Sequence, residues 1–307
     1  MQLLRDKKNE FLKSLKLETR RIVESKIKKL EEEGTFRIEW YGDRVCLSSA
    51  CFKGCISADE ALLISYITDF VTSGGWVSNA ERCKVGSRYM EVSDFFVELW
   101  PKVRFHKGSL LEGLAKLRET YVFGNYDFAL GINPKNKVIV DIGAWVGEFS
   151  LRASRRGAKK VYSLEPNPYA YQWLQENADL SEVYIDTLNA LIGKKGEERF
   201  LLTPFQEEMG RKGGTVKSIP LEDLMDFWGI KEGDLIRISC CLKNILKGDL
   251  TPLKNFKYIV IDYSGELIWD TLVPALRKWK YSITFFKPYP YLAPPLEKRG
   301  VLVASSL

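Results

Sequence analysis

Two glycines and a carboxylate are the residues of this sequence whose types and spacing could do chemistry. They lie in VIVDIGAWVGEFSLRASRRGAKKVYSLEPNP, residues 138–168. An apolar run ends at Asp141 and Ile142, and Gly143 and Gly147 then allow a tight turn that brings backbone close to a ligand. A helix should follow, whose N-terminal N–H groups and dipole favour an anionic group placed there. A second apolar run ends at Glu165, on the edge where open α/β sheets bind ligands. A carboxylate at that edge can accept both hydroxyl protons of a ribose.

Two ligand classes use such an arrangement. Dinucleotides need G-x-G-x-x-G so that a helix N-terminus can hold a pyrophosphate. Here the spacing is Gly143-x-x-x-Gly147, and Asp141 before the first glycine would repel a pyrophosphate. S-adenosylmethionine carries an ammonium and a sulfonium, beside which an acidic residue is useful, so it is the favoured cofactor. No GxxxxGK[ST] run is present, which excludes a nucleotide-triphosphate P-loop.

The elements that must position these residues are legible in the periodicity. From about residue 121, short apolar runs alternate with helical segments: KVIVDIG, FSLRASRRG, KVYSLEP, YAYQWLQENADL and VYIDTLNALIG, then DLIRISCC, KYIVIDY, IWDTLVPALRKWK, YSITFF and GVLVASS. This alternation predicts parallel strands covered on both faces. Only KPYPYLAPPLEKR separates the last two runs, so they should pair as an antiparallel hairpin. The expected fold is therefore α/β, a doubly wound seven-stranded sheet with a terminal antiparallel hairpin, over residues 121–307. A small hairpin between GEERFLL and TVKSIPL is expected as an insertion.

Residues 35–120 read as an N-terminal α/β accessory region that opens with a hairpin around Gly42-Asp43. Helices are expected in ADEALLISYITDFVTS and SLLEGLAKLRETY. Residues 1–34 read as one charged amphipathic helix with a stripe at Leu4, Phe11, Leu15, Ile22, Val23, Ile27 and Leu30, stopped by Gly34. Net charge is +6, and residues 1–33, with ten basic and seven acidic side chains, carry half of it. Charges of mixed sign favour a stripe packed on the body or on a second copy of the chain over a nucleic-acid arm. A homo-oligomer is thus left open.

At this point VDIGAWVGEFSL, followed by YSLEPNPYAYQWLQENADL, resembles the class I methyltransferases and most closely the FkbM family. TVKSIPLEDLMDF resembles that family's "tLDdl" stretch, and DLIRISCCLKNILKG stands in the place of its "lKiDvEGaE…vLkG" stretch. The resemblance implies Asp141, Gly143 and Gly147 around the methionine end of S-adenosylmethionine, Glu165 on the ribose, and Asn189 and Ala190 near the adenine, with Trp145 of the same turn as a further cofactor-binding candidate. It also implies methylation of a hydroxyl on a small molecule or glycan.

The sequence departs from the family in two places. Trp145 stands where the family commonly has Asn, and can stack on the ligand, turn away or fill the pocket. The family's two acids after the fourth strand are replaced by Ser239 and Cys241. Deprotonating a hydroxyl acceptor needs a positioned base, and the remaining candidates are Asp262 at the end of the fifth strand, Glu148 in the glycine turn, and Glu266. Glu148 also reads as an ordinary first-turn acid.

Six cysteines and a single histidine, His106, bound the remaining chemistry. A His-rich metal site is excluded. Cys46, Cys51, Cys55 and Cys83 lack the paired C-x₂₋₄-C spacing of structural zinc, so packed or paired thiols are expected and no metal. Cys240-Cys241 reads as a buried strand end. In the aromatic-proline run after Phe285, Tyr289 and Tyr291 can wall a pocket or a dimer contact.

No run approaches the roughly 18–20 apolar residues of a membrane helix, and the first residues lack a secretory signal, so the expected compartment is the cytoplasm. Two further functions compete with the first. A tRNA or rRNA methyltransferase is less favoured, because the tRNA guanine-N1 enzymes share the glycine turn and an E-x-(N/D)-P strand end but no NPPY-like or NLP motif follows strand four here. The third is a methyltransferase fold that only binds or scaffolds, suggested by Trp145 and the missing acids.

Overall fold

The computed structural model describes residues 2–34, 36–48, 52–58, 61, 64–65, 68, 90–92, 96–99, 103–106, 132–200, 213–264, 268–286 and 299–306. The chain divides into two compact units, Met1–Arg118 and Glu119–Leu307.

In the first unit, the single helix expected over residues 1–34 is two helices, α1 (Gln2–Ser14) and α2 (Leu17–Glu33). The break has a local cause. The Ser14 hydroxyl donates back to the Phe11 carbonyl at 2.6 Å, competing with the helix ladder. Lys16 is then extended, with φ −59° and ψ 147°. Gly34, at φ +64°, ends α2 in the left-handed conformation that glycine adopts without strain. Part of the stripe is interior: Phe11, Val23, Ile27 and Leu30 are buried while Ile22 is exposed, and Phe11 packs on Trp40 with ring centroids 5.6 Å apart.

The strands of this unit are β1 (Arg37–Trp40), β2 (Arg44–Ser48), β3 (Phe52–Ser57), β4 (Met90–Val92), β5 (Phe96–Leu99) and β6 (Val103–His106). They form one sheet in chain order, antiparallel except for β3 against β4. The hairpin expected at Gly42-Asp43 is β1–β2. Cys46 and Cys55 face each other across β2 and β3 and form a disulfide. Cys51, Cys83 and the helices expected in ADEALLISYITDFVTS and SLLEGLAKLRETY lie wholly or largely outside the described residues.

The second unit contains β7 (Val138–Ile142), α3 (Glu148–Arg155), β8 (Lys160–Leu164), α4 (Pro168–Leu180) and β9 (Asp186–Leu188). After an insertion come α5 (Leu221–Phe227), β13 (Gly233–Ile238), α6 (Leu242–Lys247), β14 (Phe256–Ser264), α7 (Val273–Lys278), β15 (Tyr281–Phe286) and β16 (Arg299–Ser306). The insertion is a small sheet of β10 (Leu191–Ile192), β11 (Gly196–Arg199) and β12 (Thr215–Ile219). Its β11–β12 pair is the hairpin expected there.

The main sheet has seven strands in the order β15-β16-β14-β13-β7-β8-β9. Only β16 runs antiparallel to its neighbours, and it pairs with β15 as the terminal hairpin. This doubly wound layout is the class I methyltransferase sheet that the sequence predicts. The chain starts at the central strand β7, moves outward through β8 and β9, then returns to β13 on the other side of β7. The carboxyl ends of β7 and β13 therefore flank a switch in strand order, where such sheets bind ligands.

Burial explains why the inner strands read as continuous apolar runs. Val140 and Ile142 of β7, Ile236 and Ile238 of β13, and Ile259 and Ile261 of β14 are all inaccessible to solvent. Two charged residues interrupt those runs, Asp141 and Arg237, and they are register partners on adjacent strands.

Candidate functional site

The glycine turn is fixed from three sides. The N–H groups of Gly143 and Ala144 donate to the Leu164 carbonyl at the end of β8, at 2.8 and 3.0 Å. The Trp145 N–H donates to Glu165 Oε2 at 2.7 Å. Asn177 of α4, itself buried, donates from Nδ2 to the Val146 carbonyl at 2.9 Å. Positive φ is required at alternate residues: Gly143 has φ +83°, Gly147 φ +89°, and Trp145 φ +51° despite its side chain. A Cβ on Gly143 would stand 2.8 Å from Cys240 Cβ, and one on Gly147 would stand 2.6 Å from Leu174 Cδ1. Both glycines thus serve the turn and its packing on the protein.

Glu165 sits just past the end of β8, 6% exposed. Its Oε1 accepts the Asn167 N–H at 2.8 Å while Oε2 holds Trp145. Asn167 in turn caps α4, its Oδ1 accepting from Tyr169 and Ala170, with Pro168 at the first helical position. Asn189 donates from Nδ2 to the carbonyls of Glu165 at 2.7 Å and Pro166 at 3.2 Å. It braces the strand end that carries Glu165, while Ala190 is wholly buried in the core. A carboxylate offers about four lone-pair sites, and the Trp145 and Asn167 N–H groups take one on each Glu165 oxygen. The residues present fit S-adenosylmethionine at this position.

The acidic candidates have another task. Asp141 is fully buried and accepts from Arg237 Nη1 at 2.9 Å and from the Ser150 hydroxyl at 2.6 Å. Glu148, also fully buried, lies 3.6 Å from Arg237 Nη2, and Asp262 lies 3.8 Å from the same nitrogen. The Arg237 guanidinium rests over the Phe149 ring, 5.2 Å from its centroid. The structure thus gathers Asp141, Glu148 and Asp262 around one buried cation. Asp141 turns inward rather than toward a ligand ammonium. Glu148 is closed off from solvent. Asp262, more than a quarter exposed at its side chain, is the only one of the three with a face open to a substrate. Glu266, Tyr289 and Tyr291 lie outside the described residues.

Sequence reasoning missed Arg237. The signal was present as the one charge inside LIRI, the apolar run of β13. It also passed over Asn177 and Ser150, whose hydrogen bonds hold the turn. Trp145 is 6% exposed, so its ring lies in the interior. The loop after β13 follows as Ser239, Cys240 and Cys241. Ser239 bonds the turn through its N–H to Ile142 O at 2.8 Å and its hydroxyl to Gly143 O at 2.6 Å. Farther along, Asn244 donates to Ile192 O at 3.0 Å and Glu198 Oε2 at 3.1 Å. It borders a cleft of about 480 Å³ shared with Gly193, Leu221 and Gly248.

Residues 130–196 match the TRM5/TYW2 methyltransferase domain. That stretch contains the glycine turn, Glu165, Asn167 and Asn177. A tRNA (guanine(37)-N(1))-methyltransferase of Danio rerio is 32% identical over 85 residues, covering 23% of this chain and 18% of that protein. A provisionally named protein N5-glutamine methyltransferase of Methanocaldococcus jannaschii is 39% identical over 54 residues, covering 18% of this chain and 27% of that protein. The matched stretches therefore span well under a third of either relative. Among solved structures, M. jannaschii TYW2 in complex with AdoMet aligns over 71% of this chain and 84% of its own, with 17% identity and a TM-score of 0.34.

These matches overturn the resemblance to FkbM enzymes. The motifs that suggested it are the ones that build the turn: glycines for positive φ, E-P-N-P for the Glu165 brace and the Asn167 cap, L-x-x-N for the Asn177 clasp. They serve the fold and do not discriminate among families that share it. The two acids that would have marked FkbM are absent at Ser239 and Cys241. The expectation of a small-molecule or glycan acceptor, with RNA disfavoured, is corrected with it, since the matched relatives are named for RNA and protein acceptors. Among the described residues no helix is long and apolar enough to cross a membrane.

Proposed function

We propose that this protein is an S-adenosylmethionine-dependent methyltransferase whose acceptor is an RNA base nitrogen, in the manner of the tRNA methyltransferases. The observation that carries this reading is the match of residues 130–196 to the TRM5/TYW2 domain, because it spans the cofactor turn and its braces together. When bound, the cofactor supplies a methyl group on a sulfonium, open to in-line attack by a nucleophile. The chain's own residues do the positioning. Glu165 takes the ribose hydroxyls, while Asn177 and Leu164 O hold the turn that faces the methionine end. Asn189 keeps the Glu165 strand end in place. Holding two reactants in line can supply several kcal/mol of the barrier without acid–base help.

RNA is favoured over protein by the longer of the two sequence matches. The test has two stages. Calorimetric titration with S-adenosylhomocysteine should give micromolar binding that Glu165→Ala abolishes. Transfer of a labelled methyl group to unmodified total tRNA should then place label in the RNA fraction, and protein substrates should stay unlabelled. Label in protein alone would refute the RNA reading; absence of cofactor binding would refute the enzyme.

A further inference from the structure

Cys240 and Cys241 are adjacent in sequence and half-buried, with their sulfurs 2.6 Å apart. Neighbours in a regular strand point to opposite faces. Here Cys241 has φ +61° and ψ 9°, a left-handed backbone that few non-glycine residues adopt, and the two thiols face each other. The pair abuts the cofactor turn. Cys240 N and Cβ each lie 2.8 Å from where a Cβ on Gly143 would stand, and Ser239 is bonded to both Ile142 and Gly143. No slack separates this segment from the turn.

We propose that Cys240 and Cys241 form a reversible thiol–disulfide pair, a modification site whose state is transmitted to the glycine turn. The oxidant is a low-molecular-weight disulfide. One cysteine thiolate attacks it, its S–S bond breaks, a mixed disulfide forms and one small thiolate leaves. The second cysteine thiolate attacks the protein sulfur of that mixed disulfide, forming the Cys240–Cys241 bond and expelling the second small thiolate. The two thiol protons end on the released thiols, and two electrons pass from the protein to the oxidant. Reversibility follows from chain geometry. Adjacent Cα atoms across a trans peptide stand about 3.8 Å apart, while relaxed disulfides span about 4.4–6.8 Å. A bond between neighbours is therefore strained and readily reduced. Closing it must shift Cys240, whose N and Cβ lie directly against Gly143.

The full chain, equilibrated in buffers of varied reduced-to-oxidised glutathione ratio, is quenched in acid, alkylated and digested with trypsin. Cleavage after Arg237 and Lys243 releases Ile238–Lys243 with both cysteines and no others. In oxidising buffer this peptide should lose two hydrogens and take up no alkyl group, and in reducing buffer it should return doubly alkylated. Recovery of two alkylated thiols, or of a single glutathione adduct, across the whole range would overturn the pair. The second readout rests on the proposed cofactor reading. Affinity for S-adenosylhomocysteine should fall about fivefold or more on oxidation, recover with a dithiol reductant, and be insensitive to oxidant in the Cys240→Ser/Cys241→Ser double variant. Equal affinity in both states of the wild type would overturn the coupling. Loss of the cofactor reading itself would appear separately, as no binding by the reduced protein, and the peptide masses would still decide the thiol pair.

Discussion

Replacing Arg237 by Met tests whether the buried charge cluster is a structural element of the sheet. Arg237 is 1% exposed, and Asp141 and Glu148 are completely buried. Its guanidinium is 2.9 Å from Asp141 and 3.6 Å from Glu148. Methionine fills a comparable volume but leaves two carboxylates in the interior without their cation. Removing one partner of a buried ion pair costs about 3–5 kcal/mol. For a unit of this size each kcal/mol lowers the melting temperature by about 2–4 °C, so a fall on the order of 10 °C is expected by differential scanning calorimetry at pH 7. The Asp141→Asn variant should lose less, because Arg237 keeps Glu148 and Asp262 as counter-charges. The double variant Arg237→Met/Asp141→Asn should be more stable than the sum of the single losses, since the carboxylate most closely paired with the missing cation is gone. A shift below about 2 °C for Arg237→Met, or strict additivity in the double variant, would refute the assignment of Arg237 as counter-charge to Asp141.

Asn177→Leu leaves the Val146 carbonyl without its buried donor; a loss of about 1–3 kcal/mol should appear in urea melts, together with weaker S-adenosylhomocysteine binding. Gly147→Ala forces an alanine to φ +89° with its Cβ 2.6 Å from Leu174 Cδ1, so it should destabilise by about 1–3 kcal/mol, and trimming the contact with Leu174→Ala should not restore the lost stability. Asp234 carries a pH signature. Burial opposes its charge, but the Val138 N–H, the Lys257 ammonium and Lys137 outweigh burial and hold its carboxyl below the ordinary value. A depressed native value gives stability that is present above about pH 4 and lost as pH falls through the native value. Asp234→Asn should therefore be less stable than wild type at pH 7, and urea melts at pH 3 should show the difference closing.

The parallel strands were readable because buried parallel strands must be apolar on both faces. The runs around Val140, Ile236 and Ile259 satisfy that condition, and the terminal hairpin followed from the lack of a helix between YSITFF and GVLVASS. The break between α1 and α2 was not readable, because Ser14 and Lys16 are compatible with a helix and only a side-chain bond to Phe11 O interrupts it. At the site, the positions of the glycines and Glu165 were evident from sequence, but the partners of the acids were not. Asp141, Glu148 and Asp262 are far apart along the chain, and nothing local to any of them marks Arg237 as their common neighbour. Glu148 and Asp262 were candidate bases when read one residue at a time, and the cation they share is visible only once the sheet is assembled.

The same logic separates what the turn can identify from what it cannot. Gly143, Glu165, Asn167 and Asn177 are held by one another, through bonds to Leu164 O, Trp145 N and Val146 O. Each is needed for the turn to exist, whatever is methylated. If the protein methylates RNA as proposed, the segment that ends at Asn244 and the cleft beside it are where acceptor choice can be tested independently of the turn. Ser239 still belongs to the turn through Gly143 O, whereas Asn244 bonds outward to Ile192 and Glu198. Substituting Asn244 by Ala should accordingly leave S-adenosylhomocysteine affinity within about twofold, as expected for a site that does not share the cofactor's contacts, while reducing methyl transfer to tRNA. If instead cofactor affinity fell in parallel with transfer, the cleft would have to be counted as part of the cofactor site, and acceptor choice would have to lie elsewhere.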